Sequence, residues 1–301
     1  MQVLTLVRRG LDASSLPTEI ADFLRSEGLT DDPPARRELS PDHALDLLFD
    51  GPALDEARAA EVRARLSELC AGRGADMALQ DAAGRRKKLL VADMESTVIR
   101  NEMLDELADF VGLREQIAAI TERAMNGELD FETAIKERVS LLKGLDESVL
   151  STCAERMELD PGARVLVRTL QAHGVPTALV SGGFTFFARR VQEDLGFDFM
   201  QANELLVENG KLTGEVGLPI LDREAKVTAL DRLCAEHGLS AADAVTVGDG
   251  ANDLSMLLKS GLGVAFHGKK HVAEAARFRI DHGDLSTLLY FQGYADDQWQ
   301  R

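Results

Sequence analysis

Apolar residues fall along this chain in two alternating rhythms. Short runs such as Leu89-Leu90-Val91-Ala92, Pro176-Thr177-Ala178-Leu179-Val180, Ala244-Val245-Thr246-Val247 and Gly263-Val264-Ala265-Phe266 have the length and apolar continuity of buried strands. Between them, residues 184–195 and 223–237 carry apolar positions at helical spacing. Strands alternating with helices predict right-handed crossovers and a mostly parallel sheet, an α/β core of the Rossmann-like, doubly wound kind. Three of the apolar runs end in polar residues, at Asp93, at Ser181-Gly182-Gly183 and at Gly248-Asp249-Gly250. Ligands of open parallel sheets bind outside the carboxyl ends of the strands, so folding is expected to bring these three ends onto one rim.

The same pattern divides the rest of the chain. From residue 102 to about 159 the apolar positions, among them Leu104, Leu107, Ala108, Val111, Ile117, Ile120 and Ala124, keep a helical period with no strand between them. This predicts a helical cap inserted at about 100–160. Asn209-Gly210 between two β-prone runs predicts a hairpin with a primed turn. The first eighty residues read as a small α+β module, 1–82: a strand at 2–7, a helix at 16–27, a loop at Asp31-Asp32-Pro33-Pro34, then charged sequence that reads as helical. Residues 71–88 mark the boundary to a core at 83–301. The cluster Arg85-Arg86-Lys87-Lys88 reads as a solvated entry to a strand.

Composition narrows the partners. With 301 residues and 45% hydrophobic content the chain can build a sizeable core plus an accessory domain. A formal net charge of −17 argues against a nucleic-acid backbone or an anionic membrane surface as the main partner. Any anionic substrate must therefore meet a local positive cluster or a metal. Cys70, Cys153 and Cys234 stand apart without a C-x-x-C pair, which fits a reduced compartment and no structural zinc. No apolar stretch is long enough to span a bilayer, and the first residues are too short in apolar length for a secretory signal, so the cytoplasm is the expected location.

In Asp93-Met94-Glu95-Ser96-Thr97, an aspartate at a strand exit can attack phosphorus, and an acid two residues on, on the same side of an extended segment, can handle the leaving-group proton. The D-x-E pair is common by itself; the clusters that follow it in order give it weight. Ser181-Gly182-Gly183 offers a hydroxyl and bare amides to an anion, with a simple tight turn as the alternative. Its surroundings are not those of a nucleophilic serine. Lys226 could reach a phosphoryl oxygen, although most helix-borne lysines are merely solvated. Asp249, Asn252 and Asp253, in a glycine-containing turn, supply hard oxygens suited to magnesium, and an ordinary turn has the same composition. Two carboxylates about 4 Å apart repel by roughly 4 kcal/mol at an effective dielectric near 20, so convergence of Asp93 and Asp249 would all but require a cation.

These four clusters, in this order, resemble the motifs of the haloacid dehalogenase superfamily of phosphotransferases. Residues 93–105, Thr121-Glu122-Arg123-Ala124-Met125-Asn126-Gly127, and Phe131 through Arg138 to Gly144 are similar to the phosphoserine phosphatases, over a stretch from about residue 88 to the C-terminus. The resemblance implies that Asp93 is a nucleophile forming an aspartyl-phosphate, with Mg2+ held by Asp93, the main-chain carbonyl of Glu95, and Asp249. It implies that Ser181, Gly182 and Lys226 grip the phosphoryl oxygens, that Asn252 and Asp253 complete the surroundings, and that Glu102 and Arg138 meet a substrate ammonium and carboxylate. Met125 and Phe131 match cap residues that shield the site, with plain helix packing as their alternative.

One position departs from the pattern: these phosphatases usually carry aspartate where this chain has Glu95, so activity is expected to persist, reduced or re-tuned. The implied activity is hydrolysis of L-phosphoserine, the last step of serine synthesis. Another small-metabolite phosphatase, a phosphotransferase, or an amino-acid sensor weakened by Glu95 are the alternatives. Several members carry an ACT-like regulatory domain at the N-terminus, and here regulatory, structural and homodimer-forming duties all stay open.

Overall fold

The structure, a computed structural model, describes residues 1–11, 13–52, 54–125 and 128–301, the Met125 side chain excepted. The N-terminal part comprises β1 (Gln2–Val7), α1 (Leu16–Ser26), β2 (Ala35–Ser40), β3 (Ala44–Phe49), α2 (Glu56–Ala71) and β4 (Asp76–Asp81). After β5 (Leu89–Ala92) come the cap helices α3 (Met103–Phe110), α4 (Arg114–Met125), α5 (Phe131–Ser140) and α6 (Ser148–Ala154). The chain then returns through α7 (Ala163–Ala172), β6 (Thr177–Phe184), α8 (Thr185–Leu195) and β7 (Phe199–Asn203). It ends with the hairpin β8 (Leu205–Glu208) and β9 (Lys211–Val216), then α9 (Arg223–Glu236), β10 (Ala244–Gly248), α10 (Leu254–Lys259), β11 (Leu262–Phe266), α11 (Lys270–Ala275), β12 (Phe278–Ile280) and α12 (Thr287–Phe291).

Among the described residues one sheet runs in the order β2-β3-β1-β4-β12-β11-β10-β5-β6-β7. From β12 to β7 every neighbouring pair is parallel, as the strand–helix alternation requires. β5, β10 and β11 are buried at every position, which is why their sequences are unbroken apolar runs rather than alternating ones. In β1 the rhythm is two-sided. Leu4 and Leu6 pack on Ile20 and Leu24 of α1 and Val62 and Leu66 of α2, while Val7 joins the body's main cluster.

The cap stands on two linkers zipped together: Ile99 bridges Leu159, and the Asp160 N–H donates to the Val98 carbonyl at 2.9 Å. The expected hairpin packs against the cap, with the Gly144 N–H donating to the Leu212 carbonyl at 2.8 Å. Its turn residues Asn209 and Gly210 both have positive φ, 51° and 74°, as a primed turn demands.

Three expectations about the chain are corrected. The charged sequence after Pro34 is not helical. It forms β2 and β3, an antiparallel pair in which Leu45–Leu48 alternate between faces and Arg36, Arg37 and Glu38 line an exposed edge. Residues 76–81, taken as boundary, are β4, and β7 and β12 were also illegible, being short and rich in polar or aromatic residues. The basic cluster is not a solvated entry either. Arg85 and Lys87 are buried, Arg85 against Asp46, Thr5 and the carbonyls of Tyr290 and Phe291. Cys70, Cys153 and Cys234 are free and buried.

Candidate active site

β5 lies between β6 and β10, with Ala92 paired to Leu179 on one side and Val247 on the other. The chain leaves β5 toward β6 and β7, then returns to β10 and β11 on the opposite flank. The carboxyl ends of β5 and β10 therefore bound the crevice where such sheets bind ligands. Asp93 and Asp249 are the first residues past these two strand ends. Gly248 permits the fold of the second loop, because a Cβ there would stand 2.3 Å from Cγ of Asp253. Lys226 arrives on the first turn of α9, whose start is capped by the Asp222 carboxylate accepting from the amides of Glu224 and Ala225.

Carboxylate oxygens of Asp93, Asp249 and Asp253 all lie within 4.8 Å of one another, and all three residues are buried. Lys226, 2% exposed, donates to Asp93 Oδ1 at 2.7 Å and also to Asp253 Oδ1. Asp253 Oδ2 accepts the Gly250 N–H at 2.9 Å, so both of its oxygens are engaged, in keeping with a supporting place. Lys269 Nζ stands 3.6 Å from Asp249 Oδ2.

The charge balance is visible in the acidities. Burial and then the neighbouring Asp253 push the Asp93 carboxyl upward, partly offset by Lys226. Burial likewise raises Asp249 to about 6, partly offset by Lys269. Burial opposes the Lys226 charge, but Asp93 and Asp253 outweigh it and hold the ammonium firmly protonated. The 2.7 Å ion pair itself favours an ionised Asp93; the crowding of carboxylates is what works against it. A hard divalent cation among these oxygens would relieve that crowding, and an all-oxygen donor set suits magnesium.

Toward the cap, Glu95 Oε1 accepts the Met103 N–H, the first amide of α3, at 2.8 Å. Burial and the nearby Glu102 raise Glu95 to about 8. Glu102 precedes α3 and accepts the Ser96 hydroxyl at 2.7 Å. Ser96 holds φ at 54°, a left-handed conformation uncommon for a residue other than glycine, and turns the chain sharply behind Asp93. Arg138, half-buried on α5, donates Nε to the Ala134 carbonyl at 3.3 Å and makes no ion pair among the described residues. Burial lowers its pKa against the opposing field of Asp105, Glu95 and Glu102.

Ser181 and Gly182 lie within β6, which runs on through Gly183 to Phe184, and α8 starts only at Thr185. The Ser181 hydroxyl accepts the Gly183 N–H at 2.9 Å. Phe131 of α5 reaches down to this loop, its Cζ 3.4 Å from the place a Gly182 Cβ would occupy. Asn252 is half-buried and folded over Gly250, where a Cβ would meet its Oδ1 at 2.3 Å. The Met125 side chain, with Asn126 and Gly127, lies outside the described residues.

Sequence reasoning gave no separate role to Ser96, Lys269 and Asn203, and placed Gly183 only in the anion cradle, not beside Glu95. Asn203 joins the Gly182 segment to the loop before α9 by donating to the Gly182 carbonyl at 2.8 Å and accepting the Leu221 N–H at 2.7 Å. Only Ser96 and Gly183 carried a signal, their places inside motifs already singled out.

The model of the haloacid dehalogenase-like hydrolases matches residues 90–258. A phosphoserine phosphatase of Archaeoglobus fulgidus is 41% identical over 237 residues, 78% of this chain and 69% of that protein. The chain spans 56–69% of the length of four curated phosphoserine phosphatases that it matches. Among solved structures, an unliganded one described as a probable phosphoserine phosphatase from Vibrio cholerae superposes with a TM-score of 0.78 at 31% identity, covering 99% of this chain and 88% of that one. A phosphoserine phosphatase solved as a phospho-aspartyl intermediate analogue gives 0.64 at 39% identity, covering 68% of this chain and 99% of its own.

Proposed function

Because the chain belongs to the phosphoserine phosphatase family of the haloacid dehalogenase-like hydrolases, we propose that it hydrolyses L-phosphoserine to L-serine and inorganic phosphate. The observation that carries the reading is the meeting of Asp93, Asp249 and Asp253 with Lys226 at the mouth of the sheet. A carboxylate nucleophile, a positive charge for the phosphoryl oxygens and a donor set for a hard cation stand together there.

In the proposed reaction an Asp93 oxygen attacks phosphorus, the bond from phosphorus to the serine oxygen breaks, and Glu95 delivers the proton that the departing alkoxide needs. Glu95, now ionised, takes a proton from water as that water attacks the aspartyl-phosphate, restoring Asp93 and releasing phosphate. Lys226, the Ser181 hydroxyl and the amides around Gly182 hold the phosphoryl oxygens during both transfers. Asp93, Asp249 and the carbonyl of Glu95 would hold magnesium, which when bound offsets the negative charge shared by the carboxylates and the phosphoryl group.

Substrate choice is assigned to the cap. Arg138, with no carboxylate paired to it among the described residues, fits the substrate carboxylate as a planar fork, and Glu102, held by Ser96, fits the ammonium. Phe131 and Met125 would shield the pocket, and Asn252 would support the phosphate side. The wider reading is the last step of serine synthesis in the cytoplasm. Residues 1–82 would form a module of regulatory, structural or homodimer-forming duty.

The test is steady-state phosphate release from L-phosphoserine, D-phosphoserine and phosphothreonine, with magnesium and with EDTA. Magnesium-dependent turnover of L-phosphoserine that vanishes in Asp93→Asn is expected. Turnover surviving in Asp93→Asn would end the covalent mechanism, and indifference to the amino-acid part would end the substrate reading.

A further inference from the structure

Gly183 is not a glycine for the sake of its backbone. Its φ lies outside the left-handed region, so any residue could adopt its conformation. What forbids a side chain is Glu95: a Cβ on Gly183 would stand 2.6 Å from Glu95 Oε2, 2.9 Å from Cδ and 3.0 Å from Oε1. The whole carboxyl group lies in the space that a methyl would fill.

The opposite wall of that space is the start of α3. Glu102, at the N-cap position of this helix, makes no capping bond; its Oε1 accepts the Ser96 hydroxyl. The orphan amide of Met103 is satisfied by Glu95 Oε1 instead, at 2.8 Å. A carboxylate at a helix start also has the favoured sign. Glu95 is thus held from both sides, by van der Waals contact with Gly183 and by a hydrogen bond from the cap.

We propose that Gly183 and the Met103 amide are positioning residues which together form a slot for the longer glutamate arm, fixing the proton donor for the leaving group. An aspartate is shorter by one C–C bond, roughly 1.5 Å, which is enough to break the bond to Met103 and leave the space beside Gly183 empty. Because α3 belongs to the cap, the same hydrogen bond ties the acid to a seated cap. This rests on the proposed role of Glu95 as general acid, and the geometry adds what keeps it in place.

The test is a double-mutant cycle on kcat and KM with L-phosphoserine and with p-nitrophenyl phosphate, using wild type, Gly183→Ala, Glu95→Asp and the double variant. Gly183→Ala is expected to lower kcat/KM for phosphoserine by about a hundredfold, the order of loss that a displacement near 1 Å brings. The loss in kcat/KM, which reads the first phosphoryl transfer alone, should be much smaller for the aryl phosphate, whose leaving group hardly needs a proton, while kcat falls on both substrates because Glu95 also activates the hydrolytic water. In the Glu95→Asp background the added methyl should cost less than about threefold. Equal costs in both backgrounds, or equal losses of kcat/KM on both substrates, would overturn the proposal.

A second measurement needs no turnover: hydrogen exchange of the Met103 amide, read by NMR on protein labelled with 15N-methionine. Exchange in Glu95→Asp should be about tenfold faster than in wild type, one lost hydrogen bond. Unchanged exchange would overturn the slot. A wild type inactive on phosphoserine, with exchange still faster in Glu95→Asp than in wild type, would sink the substrate reading and leave the slot standing.

Discussion

An arginine that is half-buried among carboxylates yet paired with none among the described residues has given up hydration for little protein return, one Nε bond to the Ala134 carbonyl at 3.3 Å. A ligand carboxylate supplies that return, and this is the reason to place substrate choice at Arg138. Charge-assisted hydrogen bonds are worth about 1.5–3 kcal/mol, so Arg138→Ala should lower kcat/KM for phosphoserine by roughly 10- to 100-fold and change p-nitrophenyl phosphate turnover little; equal losses on both would remove Arg138 from substrate recognition. The carboxylate trio carries a different consequence. Three acids gathered around Lys226 gain from a cation in the folded state alone, so magnesium at about 100 times its Kd should add near 2.7 kcal/mol to stability. A thermal melt of the whole chain with magnesium and with EDTA measures this, and Asp249→Asn should abolish most of the difference. Equal melting in both would mean that the cluster is not a metal site.

Elements carry the site into register, and there the sequence was only partly readable. The strands that lead to Asp93, Ser181 and Asp249 were legible because burial on both faces gives them continuous apolar runs up to those residues, and the cap because its helices repeat at 3.6 residues. Lys226 could not be told from a solvated lysine by pattern, since its burial comes from α9 lying against the carboxylate loops. The Asp222 cap fixes where that helix begins. Asp222→Ala should therefore cost about 1 kcal/mol in denaturant unfolding and loosen the first turn that carries Lys226, raising KM more than it lowers kcat; stability unchanged within error would mean that the cap contributes nothing. The strands β2 and β3 escaped notice for the opposite reason to β5. β2 is exposed at four successive positions and so shows no alternation, and β3 buries a charged residue, Asp46, where an apolar one would be expected. Glu95 itself was legible as an acid, but its second partner, an amide of α3, belongs to backbone geometry that no residue letter records.

At the scale of the whole molecule the question is what makes the N-terminal strands continuous with a catalytic sheet. β4 meets β12 in antiparallel fashion at a single register pair, Met77 with Arg279, too little backbone bonding to hold two bodies together. Side chains do the joining. Asp76 accepts the amides of Asp281, at 2.7 Å, His282, at 3.2 Å, and Gly283, at 2.7 Å. Arg85 reaches Asp46 at 2.7 Å, Thr5 at 2.9 Å and the Tyr290 carbonyl at 2.9 Å, while Val7, Leu39, Ala44 and Ala78 merge with the apolar cluster around α12. Asp46 is the centre of this junction, 0% exposed and shared by Arg85 and Arg37. Its removal leaves the buried Arg85 guanidinium uncompensated, and breaking a buried pair from one side costs about 3–5 kcal/mol. A shared core predicts that wild type loses its fold in one step, with circular dichroism and the fluorescence of the single tryptophan, Trp299, which stacks on Tyr290 at 4.6 Å, changing together in guanidinium. Asp46→Ala should move both signals to lower denaturant by that amount while phosphate release under native conditions stays near wild type, because the junction lies away from Asp93; separate transitions in wild type would mean that the two parts fold independently and that the buried pair merely decorates their contact.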